Sequence, residues 1–289
     1  MKTTKLIDAT QGLKFTESPR WYKSRLWFLD IYNKSIKKVS ADGALETVLE
    51  LPFMPNSLGF LPDSSMFFGN AMNRIIYTWD GEEYQQLADI SELAKICLSD
   101  GIADAQGRIY VGDIGYDFIG GSEPLPGGVI VLVRTDGQAS VVASNMFFPN
   151  GMVITPDGKN LIVSESLRHR LTAFDIKEDG TLDNRRTFAQ FPGKDGVAEG
   201  ICPDGICLDA EGAVWLSTVE QNVLRVKEGG EIIQRIDHEN LSFAVMLGGA
   251  DRKTLFISTS KSNDIMEVLQ RPTARIEYVK TDVPGAGIP

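Results

Sequence analysis

Histidine, cysteine, basic charge and long apolar runs are all in short supply in this chain, and each shortage closes off a class of function. Its 289 residues include two histidines, His169 and His238, and three cysteines, Cys97, Cys202 and Cys207. Three thiols without C-x-x-C spacing exclude a disulfide framework and a cysteine-rich zinc site. Each is expected to pack as a small buried hydrophobe, which fits a reducing cytoplasm. Lysine and arginine together number 29 against 39 acidic residues, a net charge of −10. Nucleic acid and anionic membrane are therefore not expected as partners, since phosphate recognition needs basic clusters. The longest uncharged run, 138–156, contains Ser140, Asn145, Pro149, Asn150 and Gly151 and cannot span a bilayer. Residues 1–8 lack the apolar stretch of a secretory signal. No phosphate-binding glycine motif is present. Helical periodicity is nearly absent too, with at most a single turn over 90–95.

What is there is ordinary globular composition, 43% apolar and 24% charged, arranged as a repeat. A short apolar strand recurs six times: Leu26-Trp27-Phe28-Leu29, Met66-Phe67-Phe68, Ile109-Tyr110-Val111, Leu161-Ile162-Val163, Val214-Trp215-Leu216 and Leu255-Phe256-Ile257. Anchored on Trp27, Phe67, Tyr110, Ile162, Trp215 and Phe256, the intervals are 40, 43, 52, 53 and 41 residues. Related turns such as Asp104-Ala105-Gln106-Gly107 and Asp209-Ala210-Glu211-Gly212 precede four of the anchors. A second turn marker, Asp42-Gly43, Asp80-Gly81, Asp136-Gly137, Asp179-Gly180 and Gly229-Gly230, follows in phase. Periods of 40–50 residues built from short strands predict an all-β fold, a six-bladed β-propeller of four-stranded blades, as one domain over 1–289. The sixth blade is expected to close by pairing Arg275-Ile276-Glu277-Tyr278-Val279 with an N-terminal strand near Lys5-Leu6-Ile7. Trp21, Trp27, Trp79 and Trp215 are expected to pack between blades. His169, in Leu167-Arg168-His169-Arg170, reads as a solvated turn or a cross-blade contact.

Counting back 10 to 12 residues from each anchor gives Glu17, Asn56, Ser99 with Asp100, Asn150, Asp204 and Val245. These should begin the innermost strands, so five blades of six would place an oxygen-bearing side chain at one level of the channel. Converging carboxylates repel unless a cation or proton intervenes. An all-oxygen set of Glu17, Asn150 and Asp204 suits one hard divalent cation such as calcium, magnesium or manganese, with zinc open; of these and iron, calcium is the one expected. Neither histidine falls at the repeat position, so a Ser-His-Asp triad has no support. About a dozen extra residues follow Tyr110, which makes 116–126 a candidate lid, with 187–203 a second long segment expected on the same face.

At these residues the sequence resembles the SMP-30/gluconolactonase/luciferin-regenerating-enzyme family. The matching pieces are Glu17-Ser18-Pro19-Arg20-Trp21, Ser99-Asp100-Gly101 with Asp104-Ala105-Gln106-Gly107-Arg108, Phe148-Pro149-Asn150-Gly151, and Pro203-Asp204-Gly205 with Asp209-Ala210-Glu211-Gly212. They cover essentially the whole chain in family order. The resemblance implies Glu17, Asn150 and Asp204 as metal ligands and Asp204 as general base. Ser99 stands where family members commonly carry asparagine, and Cys97 lies near the place of a substrate-binding arginine in sugar lactonases. Both departures imply a substrate less hydroxylated than a gluconate-like lactone. The expected reaction is metal-dependent opening of a lactone or similar cyclic ester, with Asn56, Ser99, Asp100 and Tyr116 contacting a small-molecule substrate. A phosphotriesterase-type hydrolase and a non-catalytic, calcium-stabilised binding propeller are the alternatives. The chain is expected to be a monomer or small homo-oligomer.

Overall fold

Short runs of aromatic and branched residues between aspartate- and glycine-bearing turns favour extended backbone, and the chain folds almost wholly as antiparallel sheet. The computed structural model describes residues 2–8, 11–117 and 127–286. Strand β1 (Thr4–Ile7) comes first. The first sheet is β2 (Thr16–Tyr22), β3 (Arg25–Asp30), β4 (Ser35–Val39) and β5 (Leu45–Glu50). The second is β6 (Pro55–Phe60), β7 (Met66–Asn70), β8 (Ile75–Trp79) and β9 (Tyr84–Asp89). The third is β10 (Leu98–Ala103), β11 (Ile109–Asp113), β12 (Gly128–Val133) and β13 (Ala139–Met146). The fourth is β14 (Pro149–Ile154), β15 (Asn160–Glu165), β16 (Arg170–Ile176) and β17 (Leu182–Gln190). The fifth is β18 (Ile206–Asp209), β19 (Val214–Ser217), β20 (Asn222–Val226) and β21 (Ile232–Asp237). The sixth joins β22 (Leu241–Gly248), β23 (Thr254–Ser260) and β24 (Ala274–Lys280) to β1. These six sheets are the blades of a six-bladed β-propeller.

Burial within each sheet follows the sequence. The second strands carry the apolar anchors and are covered on both faces; every residue of β7, β11 and β23 is buried. Strands buried on both sides read as continuous apolar runs rather than alternations. The fourth strands are polar and largely exposed, as β5 (LETVLE) and β9 (YQQLAD) illustrate. The turn markers have a plain cause. Asp104 and Asp209 each accept two backbone N–H groups across the hairpin, and Gly107 and Gly212 take the positive φ that closes it (79° and 78°).

Two compact units are distinguishable. One contains the chain up to Pro55 and from Asp204 onwards, with the first, fifth and sixth sheets. Its core gathers Ile7, Trp21, Phe28, Trp215, Val245, Phe256 and Ile276. Trp21 stacks on Phe256 with ring centroids 5.5 Å apart. Here β1 pairs antiparallel with β24, Thr4 opposite Tyr278 and Ile7 opposite Ile276, which is the closure the sequence predicts. The other unit, Asn56–Pro203, contains the second to fourth sheets, with cores around Phe67 and Val111 and around Tyr110 and Met152. Side chains as buried as Phe28 and Phe67 (0% exposed) stabilise the fold by about 1.5–3 kcal/mol each.

Several features depart from expectation. A two-residue strand, β25 (Gly285–Ala286), pairs along β18 and makes the fifth sheet five-stranded. A six-residue helix, α1 (Ile265–Gln270), is capped by Asp264, whose side chain accepts the Glu267 N–H. Val245 does not begin an inner strand: β22 starts at Leu241, so Val245 lies in mid-strand opposite Ile257. The hairpin in this sheet is longer than the others, and a fixed count back from Phe256 stops short. His169 is also not solvated. It is 0% exposed, so the solvated-turn alternative is excluded. Three tryptophans are buried, whereas Trp79 is only half-buried.

Candidate functional site

The leading strands β2, β10, β14 and β22 share an irregularity near their start: a register shift falls between Glu17 and Arg20, Leu98 and Gly101, Pro149 and Met152, and Ser242 and Ala244. Bulges of this kind bend a strand and re-aim one side chain. Just before the shift, Thr16 faces Asp30, Leu98 faces Asp113, Pro149 faces Glu165 and Leu241 faces Ser260. The next residues are therefore register equivalents: Glu17, Ser99, Asn150 and Ser242. Asn56 holds the same second place in β6. Asp204 precedes β18 by two residues, and its N–H extends the ladder to Ser217 O at 3.1 Å. Register thus makes Ser242, not Val245, the sixth member, and no sequence motif marked it.

In the unit with the first, fifth and sixth sheets, Glu17 is half-buried and Asp204 is 6% exposed. Glu17 Oε2 lies 3.3 Å from Ser18 N, with Ser18 at φ 49°. Ser242 is fully buried, and its Oγ donates to Asn222 O at 2.8 Å, with Glu220 O also near at 3.1 Å. Gly205 leaves room for the neighbouring strand: a Cβ there would sit 2.7 Å from Ala244 Cα. Ser217 Oγ ties this point to Phe243 O at 2.6 Å.

In the other unit Asn56, Ser99, Asp100, Tyr116 and Asn150 lie at the ends of their sheets where β6, β10 and β14 begin. Asn56 spans two sheets, donating from Nδ2 to Leu98 O at 2.8 Å while its Oδ1 accepts the Ser57 N–H at 2.9 Å. Asp100 accepts the Gly101 N–H at 2.9 Å, the same local bond one residue further along. Asn150 Nδ2 reaches Ser166 Oγ at 3.4 Å, and Ser166 Oγ donates to Pro203 O at 2.8 Å. Ser99 is 3% exposed, and its buried Oγ has no hydrogen-bond partner among the described residues. Gly112 packs directly against that hydroxyl, so any Cβ there would strike it. A buried polar atom left in this state costs about 1–3 kcal/mol unless something else meets it.

Tyr116 packs edge-on against Phe148 at 5.9 Å, two residues before Asn150. Burial, and secondarily the neighbouring Cys202, raises its phenol above the ordinary value. The rest of the expected lid, 118–126, lies outside the described residues. Of the second long segment, 187–190 belongs to β17. Residues 191–203 form a loop at the same end of this unit as Asn150, held by a Gly193–Gly200 bridge and by His169. The His169 ring nitrogens lie 3.0 Å from Ile201 O and 3.0 Å from Lys194 O. Whichever nitrogen carries the proton donates to its carbonyl, and Nδ1 also lies 3.8 Å from Cys202 Sγ. Cys97 is buried at 9% exposure, and burial pushes its thiol up to about 12. All three cysteines are buried free thiols.

The side chains that share this register position carry carboxylate, amide and hydroxyl oxygens. Among the described residues no group of three or more histidine, cysteine, aspartate or glutamate side chains gathers. Amide and hydroxyl oxygens beside carboxylates are the donor types at this register position. That chemistry fits a hard cation, and the partnerless Ser99 hydroxyl is a further oxygen in need of a ligand.

Fold and register together define the class: a six-bladed propeller whose leading strands repeat oxygen-bearing side chains at one position. The SMP-30/gluconolactonase/LRE-like profile matches residues 15–261, and the chain belongs to that family. It is 26% identical over 283 residues to 6-deoxy-6-sulfogluconolactonase of Pseudomonas putida, covering 94% of this chain and 93% of that one. It is 24% identical to pentonolactonase XacC of Haloferax volcanii, with 90% and 86% covered. Among solved structures, the calcium-binding protein regucalcin of Agrobacterium tumefaciens superposes with a TM-score of 0.80 at 20% identity, covering 100% of this chain and 96% of that one.

Proposed function

We propose that this protein is a divalent-cation-dependent hydrolase that opens a small lactone or similar cyclic ester, with Glu17, Asn150 and Asp204 as cation ligands. The observation that carries the reading is the register equivalence of oxygen donors across the leading strands, in a family whose relatives are named as lactonases. A bound hard cation supplies Lewis-acid polarisation of the ester carbonyl. Calcium leads the candidates, because a structural relative is described as a calcium-binding protein. Asp204, buried and acceptor-only when ionised, takes a proton from the attacking water and returns it to the ring oxygen as the acyl C–O bond breaks. Asn56, Ser99 and Asp100 orient the substrate and that water, with Ser99 Oγ able to donate to an ester oxygen. Tyr116 and Phe148 offer an apolar wall. Cys97 presents a neutral thiol and no cationic donor, which favours lactones with few hydroxyls.

The test is a panel of aliphatic, aromatic and sugar lactones assayed by acid release, with Ca²⁺, Mg²⁺ or Mn²⁺ and after exhaustive chelation. Ion-dependent opening of sparsely hydroxylated lactones supports the reading. Turnover that survives chelation removes the cation, and turnover of phosphotriesters alone replaces the substrate class.

A further inference from the structure

Three carboxylates outside the ligand set occupy one register position, the last residue of a second strand: Asp30, Asp113 and Glu165. Each faces the residue immediately before a site residue, as Thr16, Leu98 and Pro149 precede Glu17, Ser99 and Asn150. Each also reaches back to the segment leading into that strand. Asp30 Oδ1 accepts from Lys14 N at 3.1 Å and Phe15 N at 3.2 Å. Asp113 Oδ2 accepts from Ile96 N at 2.9 Å, and Glu165 Oε2 from Phe147 N at 3.0 Å. Their residues are 0%, 1% and 0% exposed.

Burying a carboxylate is expensive, and a hydroxyl or amide suffices to finish the second strand elsewhere. Asn70 ends β7 and accepts from Asn73 N within its own turn; Ser260 ends β23 and bonds Ser262 O and Thr273. Among the described residues neither Asp30 nor Asp113 has a salt-bridge partner, so their charge is met by N–H groups. We propose that Asp30, Asp113 and Glu165 are positioning residues: each grips the backbone ahead of a bulged strand and so fixes the direction in which Glu17, Ser99 or Asn150 points. The inference rests on the cation site proposed above for its functional consequence, while the grip itself stands on geometry within each unit. Groups that hold a metal ligand in place from behind typically change metal affinity 10–100-fold when removed.

The experiment is Ca²⁺ titration calorimetry on folded protein, well below its melting temperature. Asp30→Leu removes both acceptor oxygens while keeping the same branching and should raise the Ca²⁺ Kd tenfold or more. Asp30→Asn keeps the Oδ1 acceptor for Lys14 and Phe15, losing only the bond that Asn33 Nδ2 gives Oδ2 at 2.7 Å, and should stay within threefold of the parent. Asp209→Leu is the structural control. Asp209 is an equally buried carboxylate that accepts backbone N–H groups in a hairpin, and its loss should lower the melting temperature with Kd within threefold. An Asp30→Leu Kd within threefold of the parent, or an equal weakening by Asp209→Leu, overturns the proposal. Hydrogen exchange on the unaltered protein decides the matter if Asp30→Leu does not fold. The amides of Lys14, Phe15, Ile96 and Phe147 should exchange as slowly as strand amides, and exchange at exposed-loop rates overturns the grip. Should the parent bind no Ca²⁺, the cation reading falls while the exchange result still decides the grip.

Discussion

Replacing Glu165 by alanine removes a buried carboxylate that accepts hydrogen bonds from four residues. Its carboxylate accepts from Arg170 Nε and Nη2 (2.8 and 2.6 Å), Thr172 Oγ1 (2.5 Å), Arg185 Nη2 (3.0 Å) and Phe147 N (3.0 Å). After truncation the Thr172 hydroxyl and the Phe147 N–H lose their acceptor inside the protein, at about 1–3 kcal/mol each. The two guanidinium groups still reach water, with side chains 15% and 31% exposed, so each adds no more than about 1 kcal/mol. The total is about 4 kcal/mol. For 289 residues the entropy of unfolding is roughly 0.6 kcal/mol/K, which converts that loss to a fall of about 7 °C in melting temperature. Burial pushes the Glu165 pKa up, but the Thr172 hydroxyl, Arg170, the Phe147 N–H and Arg185 outweigh it and leave the group below its ordinary 4.5. A lowered folded pKa means that the stabilisation is complete above 4.5 and is lost as pH falls through the folded value. Parent and variant should therefore converge in acid. Thermal and urea melts at pH 7 and pH 3 measure both effects. A shift under 2 °C at pH 7, or a gap that widens in acid, would refute this account of Glu165.

Asp204→Asn should weaken Ca²⁺ binding modestly while kcat falls by roughly 10²-fold, a usual general-base contribution; unchanged kcat in a chelator-sensitive enzyme would move the base elsewhere. Removing bound cation with a chelator should cost about 2.7 kcal/mol relative to free metal a hundredfold above Kd, or 4–5 °C in a melt. An identical melt with and without chelator would deny a site specific to the folded state. Deleting residues 1–8 strips β1 from β24 and takes out Ile7, which is 0% exposed. Loss of that side chain alone costs about 2–5 kcal/mol, and the bared edge invites association, so the truncated chain should melt at least 5 °C lower or aggregate. Parent-like stability and solubility would show the sixth sheet to be complete without β1.

Much of the architecture was legible in the sequence because a propeller blade is a local object. Strand, hairpin turn and strand are neighbours in sequence, so Trp27, Phe67, Tyr110, Ile162, Trp215 and Phe256 recur at blade spacing, and the aspartate–glycine turns mark the corners. The pairing of β1 with β24 was readable for a different reason: a sixth repeat missing one strand needs a partner, and Lys5-Leu6-Ile7 was the spare segment. Glu17, Asn56, Ser99, Asn150 and Asp204 were found by the same periodicity. That logic failed where spacing varied. The longer hairpin before Thr254 displaced the count to Val245, and only the pairing of Leu241 with Ser260 identifies Ser242.

The roles of Asp30, Asp113 and Glu165 were out of reach too, although their signal was present in Leu29-Asp30, Gly112-Asp113 and Ser164-Glu165. A terminal carboxylate on a strand says nothing about which N–H it will meet. Lys14, Ile96 and Phe147 come within 3.1 Å of those oxygens only once the sheets have formed. His169 makes the same point. Its neighbours in sequence are two arginines, which read as solvent, whereas its burial is decided by Lys194 and Ile201, more than twenty residues away. Periodicity determines which residues share a position along the strands. Burial and hydrogen-bond partners depend on packing between segments distant in the chain, so they belong to the tertiary structure alone.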